Sequence, residues 1–284
     1  MVFEEGKGGA FDVQGGNMIV NEDSVDLKPL TILVGPDEGG KSSILETIMR
    51  ESGKRFDVNN GNFFFISASR GSWSVQGEPG SQESLGILGN QLLFYLARIF
   101  SSSVYENEAA AITRWAKELG VLGLNPDSQF KTYVNRGHVD PRLKAALEVA
   151  LSSTGPRQVL TVIAWLFGTK RGSLIIIEEP EIGLHPEFQV KLVEMFAEAI
   201  KDGKQVVITT HSSLLLLSLS RPIKRGDLKR EDVAIYDVTK DVYGTQITPL
   251  ELTNEGYIKG WIPSFKKVEQ DLMREWVQSM PDVN

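Results

Sequence analysis

The chain has 284 residues, 41% hydrophobic and 24% charged, with a formal charge of −7 and no cysteine. This is the composition of a globular chain long enough for one α/β body with an insertion. The acidic balance excludes a generally basic, nucleic-acid-coating surface, although a local groove can still hold phosphates. The missing cysteines exclude disulfides, thiolate metal sites and thiol nucleophiles.

The opening MVFEEGKGGAFDV lacks the basic and apolar regions of a signal peptide, so a cytoplasmic location is expected. The apolar runs 159–167 (VLTVIAWLF) and 214–217 (LLLL) fall far short of the roughly 20 residues that cross a bilayer. They are predicted to be buried helices, with no membrane insertion.

Residues 18–20 and 31–34 are short strand candidates, and helical periodicity runs from 41 to 49, which makes strand, loop, helix. Residues 63–67 (FFFIS) form another predicted strand, followed at 71–84 by a Gly/Ser-rich loop with few apolar side chains. From about 91 to 150 the pattern is helical with interruptions at 120–123 (GVLG) and 137–138, as in a helical subdomain inserted into the body. No heptad pattern persists across it, which argues against a long coiled-coil arm.

The run 173–177 (SLIII) before acids predicts a central parallel strand buried on both faces. Phe188, Leu192, Phe196 and Ile200 recur every fourth position, an amphipathic helix, and 205–209 (QVVIT) is the next buried strand. Residues 233–238 and 246–248 add strands, and Phe265, Val268, Leu272 and Trp276 mark a tail helix expected to dock on the body. The alternation predicts an α/β fold with a mostly parallel central sheet and flanking crossover helices. Basic clusters at Lys170-Arg171 and 221–230 are expected to be solvated.

Between the strand at 31–34 and the helix at 41 lies GPDEGGKSS: Gly35, Pro36, Asp37, Glu38, Gly39, Gly40, Lys41, Ser42 and Ser43. Gly35, Gly40, Lys41 and Ser42 match the spacing G-x-x-x-x-G-K-[ST], in the strand-loop-helix setting that the motif requires. Such a loop turns successive backbone N–H groups toward a β-phosphate at a helix N-terminus. Lys41 is expected to bridge the β- and γ-phosphates of ATP, and Ser42 to offer its hydroxyl to Mg²⁺. Asp37 and Glu38 are expected to point outward and to cost some nucleotide affinity.

Glu178 and Glu179 follow the SLIII strand at the carboxyl edge of the sheet, where open α/β folds bind ligands. Glu178 is expected to hold Mg²⁺ directly or through water, and Glu179 to orient or deprotonate the attacking water. In ITTHSS, at the end of the next strand, His211 could reach the γ-phosphate. His185 is predicted to cap or pack at a helix start before Pro186, and His138 to lie in a loop. No Cys/His/Asp cluster has zinc spacing.

Together, GPDEGGKS, LSSTGPRQ (151–158), LIIIEEPEIGLHP (174–186) and ITTHS resemble an ABC-type P-loop ATPase head. The likeness is to the SMC, RecF and OLD-like kind and to the soluble AAA-family ATPases that share this head. The string EEPEIGLHP is the most specific, and GYIKGWIPSF (256–265) adds a weaker likeness. The resemblance spans about residues 17–50, 150–215 and 246–265. It implies an antiparallel N-terminal β element and the division 1–84, ATPase core with the P-loop; 85–150, helical insertion; 151–284, ATPase core with the signature, Walker B and switch histidine.

The resemblance also implies that Ser153 and Gly155 of one chain close over the nucleotide of another, a homodimer formed on ATP binding. Thr154 and Pro156 depart from the usual Gly-Gly-Gln/Glu signature. Residues 181–184 become the loop linking the two sites, and His211 the switch histidine. For the glutamine that senses Mg²⁺, Gln82 is the first candidate, with Gln76 and Arg70 as alternatives. Implied partners are nucleic acid or a separate effector protein. An OLD-type nuclease needs a further acidic domain, and any nuclease is expected to be a separate protein. A transporter's ATP-binding subunit would read D-E-P-T with a full L-S-G-G-Q, and neither string is present; a nucleotide-gated binding module with little turnover is the other alternative.

Overall fold

The computed structural model describes residues 17–20, 23–55, 63–68, 95–96, 98–100, 103–121, 134–135, 138–139 and 154–279. An antiparallel hairpin opens it, β1 (Asn17–Val20) pairing with β2 (Asp23–Asp26). β3 (Leu30–Val34) leads through the loop 35–40 into α1 (Lys41–Arg55), and β4 (Phe63–Ile66) follows. Within 85–150 the main described elements are α2 (Glu106–Glu118) and a two-residue ladder of β5 (Val134–Asn135) with β6 (His138–Val139). Then come α3 (Thr154–Gly168), β7 (Leu174–Glu178), α4 (Pro186–Lys201) and β8 (Gln205–Thr210). The chain continues through α5 (Ser213–Ser218), α6 (Ser220–Arg225), β9 (Val233–Asp241), β10 (Gly244–Leu250) and α7 (Pro263–Ser279).

The main sheet has the order β10-β9-β3-β8-β7-β4. All its pairings are parallel except that of β10 with β9. β3, β7 and β8 are buried along nearly their whole length because helices cover both faces, and their side chains alternate between two cores. Leu30, Ile32, Ile175, Ile177, Val206 and Ile208 meet α3 and α4 through Leu160, Ile163, Leu192 and Phe196. Leu33, Leu174, Ile176 and Val207 meet α1 through Ile44, Leu45 and Ile48. Each of these wholly buried aliphatic side chains is worth about 1.5–3 kcal/mol of burial, which fixes the strand ends where the candidate site lies.

The described part of 85–150 shares the first of these cores. The Trp115 ring stacks on Phe167 of α3 at 6.2 Å and Tyr95 on Trp165 at 4.6 Å, while Arg114 pairs with Glu198 of α4. His138 lies on β6 rather than in a loop, because its backbone pairs with Asn135.

Two further expectations need correction. Leu215 and Leu216 are buried, but Leu214 and Leu217 are 39% and 47% exposed, since a helix of six residues turns only one side to the core. The tail helix docks by its first turns only. Ser264 donates from N and Oγ to the buried Asp237 and Phe265 packs on the core, whereas Leu272 and Trp276 are 60% and 59% exposed. No described helix is long and apolar enough to cross a membrane.

Candidate functional site

Lys41 is the first residue of α1 and only 7% exposed. Its Nζ donates to the carbonyls of Gly35 at 3.0 Å and Pro36 at 2.7 Å, so the ammonium fills the cup formed by its own loop. Burial lowers its pKa, against the opposing pull of Asp37, Glu179 and Glu181. The cup is wedged against the β9–β10 hairpin. Gly35 has φ 147°, and a Cβ there would lie 2.0 Å from the Val238 carbonyl oxygen of β9. Gly40 has φ 101°, and a Cβ there would lie 2.4 Å from Thr245 Oγ1 of β10. Neither position accepts a side chain. Pro36, Asp37, Glu38, Ser42 and Ser43 are exposed and Gly39 is buried; Glu38 carries the turn at φ 61°, rare for a residue with a Cβ.

Ser42 Oγ donates to Glu178 Oε1 at 3.2 Å, and the Ala68 N–H donates to Glu178 Oε2 at 3.1 Å. The end of β7 is thereby tied to both the cup and the segment after β4. Glu179 has φ 43°, and its N–H is shared between Thr209 O and Thr209 Oγ1, both at 3.1 Å. That turn breaks the strand's alternation and brings Glu179 Oε1 within 3.6 Å of His211 Nε2.

His211 Nε2 also lies 3.3 Å from Asp37 Oδ1. It is buried and close to both carboxylates, without hydrogen-bond geometry to either. Asp37, expected to point outward, has a side chain 93% exposed, and its carboxylate nonetheless comes up against His211. Val34 pairs with Thr210 across β3 and β8, so a side chain leaving the cup three residues beyond that pair meets His211.

Glu181 is 9% exposed. Its Oε1 accepts from Thr210 Oγ1 and from the His211 N–H, both at 2.7 Å, and its buried Oε2 has no hydrogen-bond partner among the described residues. Ser212 Oγ caps α5 by accepting from the Leu215 N–H at 3.0 Å and donates to Gln189 Oε1 at 2.7 Å. Gln189 Nε2 in turn donates to Leu184 O at 3.0 Å. The loop 181–184 and the residues after β8 therefore form one hydrogen-bonded unit. His185 Nδ1 accepts from the Glu187 N–H at 3.4 Å as the cap of α4.

The start of α3 touches the same loop. A Cβ at Gly183 would lie 2.5 Å from Gln158 Oε1, and one at Gly155 would lie 3.7 Å from Gly183 O. Ser153, Gln82, Gln76 and Arg70 lie outside the described residues.

Sequence reasoning missed Thr209, Thr210, Gln189, Val238 and Thr245. The strings ITTHSS and EEPEIGLHP contain or flank the first three, but partners about 30 residues apart are matched only by strand register.

The site offers Ser42 Oγ and the Glu178 carboxylate as hard oxygen donors to a cation. Among the described residues no cluster of three or more His, Asp or Glu could hold a metal without help. A site with two protein oxygens, the remaining positions left to water and phosphate oxygens, fits Mg²⁺, which binds few protein groups and keeps its waters.

Residues 83–218 match the family described as "AAA domain, putative AbiEii toxin, Type IV TA system". This stretch holds the strand-end acids and His211 but not the phosphate loop. The "Phosphate import ATP-binding protein PstB 2" of Bacillus licheniformis is 25% identical over 260 residues, 87% of this chain and 85% of that protein. The "Phosphonates import ATP-binding protein PhnC" of Stutzerimonas stutzeri is 27% identical over 170 residues, 57% of this chain and 55% of that one. Among solved structures, a bacterial Atm1-family ABC exporter with ATP bound aligns with a TM-score of 0.43 at 11% identity, over 96% of this chain and 41% of the exporter. An SMC head bound to the C-winged helix domain of ScpA aligns with a TM-score of 0.37 at 12% identity, over 81% and 92%. By its phosphate loop and strand-end acids the chain is a P-loop ATPase, and in sequence it is similar to the ATP-binding proteins named above.

Proposed function

We propose that two copies of the chain enclose two ATP molecules, hydrolyse them and separate, so that nucleotide binding drives a cycle of opening and closing in a nucleic-acid-related or defence process. The observation that carries this reading is the convergence of Lys41, Ser42, Glu178, Glu179 and His211 on one edge of the sheet. Lys41 leaves the carbonyls of Gly35 and Pro36 and charge-pairs with β- and γ-phosphate oxygens. Ser42 and Glu178 would hold Mg²⁺, which supplies charge neutralisation to the phosphate oxygens.

Glu179 accepts a proton from water as the water oxygen attacks the γ-phosphorus and the bond to the β–γ bridging oxygen breaks, giving ADP and phosphate. His211 positions the γ-phosphate beside Glu179. Gly155 and the loop 181–184 adjoin one another, which favours their presentation to a second chain as one surface. Each chain would then hold half of each site, in the cytoplasm and with no membrane insertion. Hydrolysis that rises more than linearly with protein concentration is expected; strictly linear scaling would contradict the dimer. DNA or RNA should stimulate hydrolysis in a salt-dependent manner, and a flat response across a salt series would remove that role.

The names of the two curated relatives speak for a second reading, the ATP-binding subunit of an importer. The strings EEPEIGLHP and LSSTGPRQ speak against it. Copurification of a membrane partner would decide for the importer.

A further inference from the structure

Asp237 lies in the middle of β9 and is only 2% exposed. A carboxylate taken out of water needs donors, and each of its oxygens has one. Oδ2 accepts from the Ser264 N–H at 3.1 Å and Oδ1 from Ser264 Oγ at 2.6 Å. Ser264 is the second residue of α7. Ile262, just before the helix, accepts through its carbonyl from the Phe265 and Lys266 N–H groups, but its apolar side chain has no oxygen with which to cap the helix. Asp237, 27 residues before Ser264, fills that place and sets its charge against the positive end of the helix.

The same stretch of β9 supports the phosphate loop. Asp237 pairs with Val34, the last residue before the loop. The next carbonyl along β9, that of Val238, is the point on which the loop closes: the Cβ atoms that Gly35 and Gly39 lack would lie 2.0 and 2.5 Å from its oxygen. The bonds to α7 therefore fix the backbone one residue from the carbonyl against which the cup rests. At so close an approach a small shift of β9 opens or crowds the cup, because packed interiors transmit displacement. Glu178, Glu179 and His211 stand on the other side of β3, at the ends of β7 and β8, away from such a shift.

We propose that Asp237 and Ser264 are positioning residues for the phosphate loop, tying the docking of α7 to the grip on the triphosphate. The inference rests on the 35–43 loop being the site that holds the phosphates. Loosening the pair should weaken nucleotide binding and spare the chemical step, a change in KM rather than in kcat.

The test uses the full chain as wild type, Ser264→Ala, Ser264→Thr and Lys41→Ala. Ser264→Ala removes the Oγ bond and keeps the bond from the helix N–H, a mild change to the fold. It should raise KM for ATP about 3- to 10-fold, the range of one hydrogen bond, and leave kcat within about twofold. Amide exchange at residues 35–41 should be faster in the nucleotide-free variant than in wild type. Ser264→Thr, which keeps the hydroxyl, should restore both readouts. A lowered melting temperature with KM and loop exchange unchanged would mean that the pair only holds the tail, and would overturn the proposal, as would a fall in kcat as large as the rise in KM. Unchanged ATP binding in Lys41→Ala would instead overturn the premise that the loop holds the phosphates, while the exchange comparison, made without nucleotide, still decides whether the tail positions the loop.

Discussion

Ser42 Oγ and Glu178 Oε1 stand 3.2 Å apart, which joins the first turn of the helix after the phosphate loop to the end of a strand two positions away in the sheet. These are the two residues that would hold Mg²⁺, which would supply charge neutralisation to phosphate oxygens. Replacing Glu178 by Gln keeps a hydrogen-bond acceptor for Ser42 and removes the charge. Turnover at fixed ATP should fall by about 10-fold or more, with partial recovery at raised Mg²⁺. A magnesium titration of ATPase rate in both proteins checks this, and identical titration curves would contradict it.

Asp37 Oδ1 lies 3.3 Å from His211 Nε2 on an otherwise exposed side chain. A γ-phosphate arriving beside His211 meets this carboxylate, and the repulsion is softened by solvent. Asp37→Asn should therefore tighten ATP about two- to fivefold, in keeping with the small worth of exposed charge pairs, and the gain should shrink with added salt. ATP affinity measured at low and high salt tests it; weaker binding in Asp37→Asn would show that the carboxylate assists instead.

Glu181 anchors the residues after β8 through Thr210 and the His211 N–H. Gln at this position keeps one oxygen for both bonds and turns the unpartnered Oε2 into an amide. Ala leaves two buried donors unmet, at about 1–3 kcal/mol each. Chemical denaturation should show Glu181→Ala clearly less stable and Glu181→Gln near wild type; equal stability of all three would mean the two bonds contribute nothing.

Most of the architecture was legible from the sequence, and the site only in part. Strands β7 and β8 declare themselves because burial on both faces demands apolar stretches, LIII in β7 and VVI in β8. β10 is harder. It lies at the sheet edge with Thr245, Gln246, Thr248 and Pro249 among its seven residues, so only 246–248 looked like strand, and β9 runs three residues beyond the predicted end at 238.

The position of the 35–43 loop, Glu178, Glu179 and His211 at one edge of the sheet was readable because each sits within a few residues of a strand end. The approach of Asp37 to His211 was not, since it depends on the pairing of Val34 with Thr210. Likewise the wall that Val238 and Thr245 build against Gly35 and Gly40 comes from a hairpin some 200 residues downstream. No local pattern encodes either contact.

Lys41 gives a pH prediction. Burial lowers its pKa below the ordinary 10.5, so between the lowered value and 10.5 the unfolded chain binds more protons at this group than the folded one. Stability from this group rises with pH through that window, and below it the cost of the buried ammonium is complete. Without nucleotide, wild type should gain thermal stability relative to Lys41→Met between pH 7 and pH about 9.5. Melting curves of both proteins at the two pH values check the sign; a constant difference would contradict it.

The most direct measurement is ATP binding together with single-turnover hydrolysis in Glu179→Gln. If Glu179 takes the proton from the attacking water while Lys41 grips the phosphates, the variant should bind ATP about as tightly as wild type, accumulate in the ATP-bound dimer, and hydrolyse about 10²- to 10⁴-fold more slowly. Hydrolysis at the wild-type rate in Glu179→Gln would contradict that assignment.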